Sequence, residues 1–184
     1  MFNPRFLVVS LGNPLPKYES LHSAGHFALN GLAQVLRQPS FREVAFGVQS
    51  PTLMNISGRF VAKAWKEMTN QHDPSSLSLV IVHDELEKDL GIVRLTAWDR
   101  SHKGHNGIKS VKGSLSQNKY PTSPFVRIAV GIGRPAERDP ETVSRYVLDR
   151  ISSDKRRILE EEAPWKVAEC LVELEKEWKT ELKS

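Results

Sequence analysis

The 184-residue chain has one cysteine, Cys170, so an internal disulfide is impossible and a cysteine-built zinc site is excluded. Long apolar runs are missing too. A membrane helix needs about 20 consecutive apolar residues, whereas the longest runs here, 6–9 and 79–82, are strand-sized. The opening Met-Phe-Asn-Pro-Arg has no charged segment leading into a long apolar stretch, so no secretory signal is expected. With 39% apolar and 26% charged residues, and only 11 glycines and 11 prolines, the composition excludes a collagen, a coiled-coil rod and a mostly disordered chain. There is no internal repeat and no low-complexity linker. The length predicts one domain over 1–184, large enough to bury its own core. A reducing compartment is expected, the cytoplasm by default, with a mitochondrial pool left open.

Positive charge is unevenly spread. Residues 152–184 carry 7 basic and 9 acidic side chains, whereas 1–151 carry 19 and 13. Within 88–134, nine basic residues face only Asp89 and Asp99. Such a surplus is either a solvated face or the footprint of an anionic partner, of which nucleic acid is the commonest large one. Charge alone does not choose between them.

Hydrophobic periodicity gives the architecture. Phe6-Leu-Val-Val-Ser-Leu11 is apolar on both faces, as a strand inside a sheet must be, and ends at the turn Gly12-Asn13-Pro14. Ala24, Phe27, Ala28, Gly31, Leu32 and Val35 predict a helix over about 23–36, ended by Pro39-Ser40. Phe60, Val61, Ala64, Trp65 and Met68 mark a second helix with Ser57 as its cap. Leu79-Val-Ile-Val82 is the next buried strand, with His83-Asp84-Glu85 expected just beyond its end. A short strand over 92–95, a polar basic loop over 97–104, a short helix through Ile108, Val111 and Leu115, and a strand over 125–130 follow. Asp139-Pro140 is a helix start. Val167, Leu171, Leu174, Trp178 and Leu182 form the stripe of a long final helix, kinked or interrupted near Pro164. Strands alternating with helices predict an α/β domain, a three-layer sandwich around a twisted, mostly parallel sheet.

In such a sheet, ligands bind beyond the carboxyl ends of the strands. Asn13, His83-Asp84 and His105-Asn106 are expected there, joined by His22 at the start of the first helix and Asn55 before the second. Each has a structural alternative: Asn13 as a turn former, Asn55 and Asn106 as helix caps. His22 and His26 have the four-residue spacing of a zinc pair, but the intervening Ser-Ala-Gly lacks the glutamate of a metalloprotease motif. No Gly-x-Ser-x-Gly elbow is present either. What remains is a histidine, an aspartate that can fix its tautomer, and three asparagines that donate and accept without charge. That inventory suffices for water-mediated ester hydrolysis.

The motifs become specific in order. Leu11-Gly-Asn-Pro14 with Tyr18, His22-Ser-Ala-Gly25, Met54-Asn-Ile-Ser-Gly58, His83-Asp-Glu-Leu86, Gly104-His-Asn-Gly107 and Val130-Gly-Ile-Gly133 together resemble the bacterial-type peptidyl-tRNA hydrolase family, as a divergent, eukaryotic-looking member. The resemblance spans about 6–148. It implies a mixed sheet and a metal-independent enzyme with no cofactor, monomeric, that cleaves the ester joining a peptide to the terminal adenosine of tRNA. By the same resemblance, His22 is the general base and Asp84 positions it. Asn13 and Asn55 hold the peptide end, Asn106 positions water and steadies the intermediate, and Tyr18 and Met54 line the cleft.

Departures from the family pattern are equally specific. Ser20-Leu21-His22-Ser23 stands where the family has Thr-Arg-His-Asn, one residue closer to the tyrosine, and Leu15 replaces a glycine. The stretch 38–53 is too short for the family's strand pair, so an edge hairpin is not expected. Thr96 and Ala129 occupy the places of two basic residues that grip tRNA phosphate. Arg94, Arg100, Lys103, Lys109 and Arg127 are the expected substitutes, since phosphate contacts need charge more than a particular side chain. Two other readings stay open: an RNA-binding relative of the same fold without hydrolysis, and a phosphorylase-like enzyme, which lacks its glycine-rich cradle here.

Overall fold

Alternation along the central strands dictates the layering. Strand β1 (Arg5–Ser10) sends Phe6 and Val8 into one hydrophobic cluster and Leu7 and Val9 into another. Strand β3 (Leu77–Glu85) repeats this with Val80 and Val82 against Leu79 and Ile81. Strands buried on both faces need helices on both sides. One layer is α1 (Ala24–Val35) and α6 (Ala163–Glu181), packed on the Phe6–Val80 face. The other is α2 (Ser57–Gln71) and α3 (Asn106–Ser114), where fully buried Trp65 meets Phe125 edge-on with ring centres 4.9 Å apart.

The computed structural model describes residues 2–37 and 45–183. Five strands lie in the order β2–β1–β3–β5–β4, with β2 (Ala45–Gln49), β4 (Val93–Ala97) and β5 (Phe125–Gly131). All neighbours pair in parallel except β4, which runs antiparallel to β5. This is the mixed, mostly parallel three-layer sandwich that the sequence predicts. Helix α4 (Pro140–Leu148) starts as expected, with the Asp139 carboxylate accepting from the Thr142 amide at 2.9 Å. The interruption before the last helix is α5 (Ser153–Arg157) followed by a π turn (Ile158–Glu162), with Pro164 in the first turn of α6. No helix among the described residues is long and apolar enough to cross a membrane.

Several expectations are corrected. Among the described residues of the stretch expected to lack a hairpin, a single strand, β2, pairs in parallel with β1. Its sequence Ala-Phe-Gly-Val-Gln is short and half-exposed, so it carries little periodic signal. The helix stop at Pro39-Ser40 lies outside the described residues. Strand β3 continues through Glu85, because His83, Asp84 and Glu85 pair with Ala129, Val130 and Gly131; His83 and Asp84 therefore sit inside the strand. Ser57 is not a cap: it is the first helical residue, and its hydroxyl donates back to the Leu53 carbonyl. Leu182 is exposed, past the end of the apolar stripe.

Helices α2 and α3 meet through Gly58. Its amide donates to Ser110 Oγ at 2.9 Å, and a Cβ at Gly58 would stand 2.1 Å from the Ser110 carbonyl oxygen. Backbone cannot yield there as a flexible side chain can. Gly58→Ala is expected to destabilise the fold by about 1–3 kcal/mol, the usual cost of overpacking. Chemical denaturation measures it, and an unchanged midpoint would mean that the two helices need not approach so closely.

Candidate active site

The parallel strands β1, β3 and β5 end on one edge of the sheet, and the loops beyond them enclose a cleft of about 670 Å³. Asn13 follows β1 and is buried. Its Oδ1 accepts from the Met54 amide at 2.9 Å and its own amide donates to Ser23 Oγ at 3.3 Å. One side chain thus ties the β1 loop to the turn carrying Met54 and Asn55. His22 lies in a 3₁₀ turn (Leu21–Ser23) that leads into α1. His105 is the N-cap of α3. His22, Asp84, His105, Asn13, Met54, Asn55 and Asn106 all line the cleft.

At its centre, one carboxylate serves two imidazoles. Asp84 is buried; its Oδ2 lies 2.8 Å from His22 Nδ1 and its Oδ1 lies 2.8 Å from His105 Nε2. An ionised carboxylate only accepts, so both nitrogens donate. The tautomers follow. His105 Nδ1 accepts from the Ile108 amide at 3.2 Å, which leaves the ring hydrogen on Nε2. In neutral His22 the hydrogen is on Nδ1, so Nε2 carries the free lone pair. Burial pulls the His22 pKa down, but the charge and hydrogen bond of Asp84 outweigh it, and the net shift is upward. Burial pushes Asp84 up, yet the two imidazoles hold it well below the usual carboxylate range.

The other histidines differ. His83 is fully enclosed: its Nδ1 donates to the Asp84 carbonyl at 2.8 Å, and burial, followed by the neighbouring His105, lowers its pKa to about 3. His26 points away from His22, toward Ser10 Oγ at 2.7 Å, with burial lowering its pKa to about 4. The zinc-like spacing of His22 and His26 therefore brings no pair together. The donor atoms of His22, Asp84 and His105 do lie within 4.8 Å of one another. Each imidazole nitrogen, however, faces its oxygen at hydrogen-bond distance, with a proton between them.

Other expected residues are placed elsewhere. Tyr18 does not line the cleft: its hydroxyl accepts from Asn30 at 2.8 Å and its ring stacks on His26. Arg127 reaches the cleft wall but is buried, so it is not a surface phosphate grip. Its Nη2 donates to the carbonyls of Ala97 and Arg100 at 3.2 and 2.8 Å, and Lys112 Nζ donates to the same Arg100 carbonyl at 2.7 Å. Arg94 lies on the α6 side of the sheet, beside Lys166, Glu169 and Cys170. Arg100 and Lys109 are exposed outside the cleft, whereas Lys103 lines it. The full role of His105 is not evident from sequence, although the Gly-His-Asn-Gly motif contains it. Cations Lys17, Arg134 and Arg138 line the cleft without having been expected there. Asn106 is not the helix cap, because His105 is, so its carboxamide is left to the cleft.

A sheet-edge cleft built around a carboxylate-backed imidazole defines a hydrolytic enzyme of the α/β class. Residues 7–183 match the family model described as peptidyl-tRNA hydrolase. The chain is 34% identical over 175 residues to a probable peptidyl-tRNA hydrolase of Schizosaccharomyces pombe, covering 92% of this chain and 82% of that one. It is 30% identical to the peptidyl-tRNA hydrolase of Clostridium acetobutylicum, covering 91% of each. The crystal structure of peptidyl-tRNA hydrolase from Acinetobacter baumannii superposes with a TM-score of 0.63 at 28% identity, over 86% of this chain and 82% of that one. The chain belongs to the peptidyl-tRNA hydrolase family, hydrolases of the ester bond in peptidyl-tRNA.

The Arg127 contacts give a prediction. Arg127→Met removes the bonds that hold the loop after β4. Hydrogen exchange over 97–104 is expected to speed at least several-fold, while β3 and β5 keep their protection. Unaltered exchange in that loop would show that Lys112 alone holds it.

Proposed function

We propose that this protein hydrolyses the ester of peptidyl-tRNA, freeing tRNA for reuse, with His22 as general base. The observation that carries this reading is the His22–Asp84–His105 arrangement at 2.8 Å on each side. His22 Nε2 takes a proton from water as the water attacks the ester carbonyl. The imidazolium so formed stays paired with Asp84, which is itself held in place by His105. Asn13, Asn55 and Asn106 line the same cleft and supply uncharged donors and acceptors for the peptide end, the attacking water and the developing oxyanion. Protonated His22 then returns its proton to the departing ribose oxygen. An ester has a better leaving group than an amide, so this modest apparatus is adequate.

The enzyme acts as a monomer in the cytoplasm, where translation supplies its substrate, and needs neither metal nor organic cofactor. Arg100, Lys103 and Lys109, on the exposed surface beyond the cleft and at its wall, contact tRNA phosphate. An RNA-binding relative without hydrolysis would have no use for a buried carboxylate shared by two imidazoles.

Single-turnover cleavage of a defined peptidyl-tRNA with EDTA present tests the reading. His22→Ala is expected to lower the rate by at least about 100-fold, the usual contribution of a general base, and to leave tRNA affinity nearly intact. Cleavage at the wild-type rate by that variant would remove His22 as the base. The pH profile gives a second test. Since the base must be neutral, kcat/KM should rise with pH through the His22 pKa, at a midpoint above the ordinary imidazole value of about 6.5. Asp84→Asn removes what raises that pKa and leaves the burial that lowers it, so the midpoint should move to lower pH as the rate falls. A midpoint that stays put would disconnect Asp84 from the titrating group.

A further inference from the structure

Besides its imidazoles and the buried Arg127, which is engaged with the Ala97 and Arg100 carbonyls, the cleft is lined by four cations from separate parts of the chain: Lys17, Lys103, Arg134 and Arg138. One of them is bonded to a carboxylate of the cleft wall, Glu87, and two others are near enough for their charge to act on it. Arg134 donates from Nε and Nη2 to Glu87 Oε1 at 2.9 and 2.6 Å. Arg138 and Lys103 act on the same carboxylate through space. The Arg134 hydrogen bond, followed by the charges of Arg134, Arg138 and Lys103, holds Glu87 below the ordinary glutamate value against the opposing effect of burial. The other acids of the cleft are already engaged: Asp84 with its imidazoles, and Glu85 with the Glu87 amide at 3.0 Å.

The backbone around this cluster is pinned. The Gly133 amide donates to the Lys88 carbonyl at 2.8 Å, which ties the segment before Arg134 to the turn holding Glu87. Gly133 has a left-handed φ of 72°, which re-aims the chain after β5. Lys103 follows the stretch clasped by Arg127. Arg138 immediately precedes the Asp139 cap of α4. Three cations around one carboxylate leave a surplus of positive charge, and the carboxylate has the charge and acceptor oxygens that a phosphodiester would bring.

We propose that Lys103, Arg134 and Arg138 form a phosphate subsite for the 3′-terminal nucleotides of tRNA, with Glu87 as an internal counter-ion that the phosphate displaces. This rests on the peptidyl-tRNA reading above. The cluster and His22 share one cleft, so the phosphates able to reach it are those next to the terminal adenosine that bears the ester. The site is distinct from the exposed grip on Arg100 and Lys109, which lies outside the cleft.

The test is binding of the trinucleotide CCA to the intact protein over a range of salt concentrations, with adenosine as the phosphate-free comparison. Arg138→Gln is expected to weaken the trinucleotide roughly 3- to 10-fold and to lower its salt slope by about 0.7, the value for one lost phosphate contact on a single strand. Glu87→Gln should tighten it by a similar factor, because the competing anion is gone. A merely structural Glu87–Arg134 pair predicts the opposite sign for that variant. Adenosine affinity should change much less in both.

Unchanged or weakened trinucleotide binding in Glu87→Gln overturns the proposal. So does an Arg138→Gln loss that is equal for adenosine, or one seen only with whole tRNA, which would place the cations on the acceptor stem. If the trinucleotide pattern holds but wild-type protein leaves peptidyl-tRNA uncleaved, the hydrolase reading fails and the phosphate subsite stands.

Discussion

Asp84 is a negative charge enclosed in protein, and the surrounding structure is arranged to make that tolerable. An isolated buried carboxylate would take up a proton. Here two imidazole N–H groups, one on each oxygen at 2.8 Å, keep it ionised. Each imidazole must therefore present a fixed tautomer, and that requirement reaches outward. His105 holds its tautomer by accepting from the Ile108 amide, which makes it the cap of α3 as well as a partner of Asp84. The ionisation of Asp84 and the initiation of α3 are one arrangement, so neither can be altered alone.

The sheet supplies the other half of that constraint. Because β3 keeps pairing with β5 as far as Glu85, Asp84 is held by a strand and not by a loop. Strands fix side-chain direction by alternation. Asp84 therefore points opposite to His83, whose ring turns back to donate to the Asp84 carbonyl and lies edge-on to His105 with ring centres 5.1 Å apart. The four-residue run from His83 to Leu86 is thus a structural unit: one residue ionised, one kept neutral by burial, both locked by the same strand pairing.

Much of this could be read from the sequence, and what could not has a physical reason. The double-faced strands, the amphipathic α1 and α2 and the Asp139-Pro140 start rest on local periodicity and local capping, which a sequence displays. So do the ordered motifs that bring His22, Asp84, Asn13, Asn55 and Asn106 to one cleft. The sequence does not place Arg127 and Tyr18, because charge and aromaticity do not reveal burial: Arg127 sits on a strand whose neighbours are core residues, and its guanidinium turns to carbonyls instead of solvent. Arg134 and Arg138 are hidden in the sequence for the converse reason. They are ordinary surface arginines until the fold brings the end of β5 beside the turn after β3.

The altered surroundings of His22 also find an explanation in long-range contacts. Ser20 forms an isolated antiparallel bridge with Arg150, and the Ile151 amide donates to the Glu19 carbonyl at 2.9 Å, so the residues just before the 3₁₀ turn carrying His22 are tied to the segment after α4. The Glu19 carboxylate then meets Arg156 at 3.1 Å and Arg150 at 3.6 Å. Arg156 also pairs with Glu160 at 3.0 Å and lies over the ring of Phe27 in α1. Single exposed ion pairs contribute little, and Arg150 is exposed, but Glu19, Arg156 and Glu160 are half-covered and sit beside the backbone pairing of Glu19 and Ser20. A shortened, substituted loop can therefore still aim His22 at Asp84, because its direction is set by the α4–α5 connection and the π turn rather than by its own residues. The segment after α4 is in this way part of what positions His22.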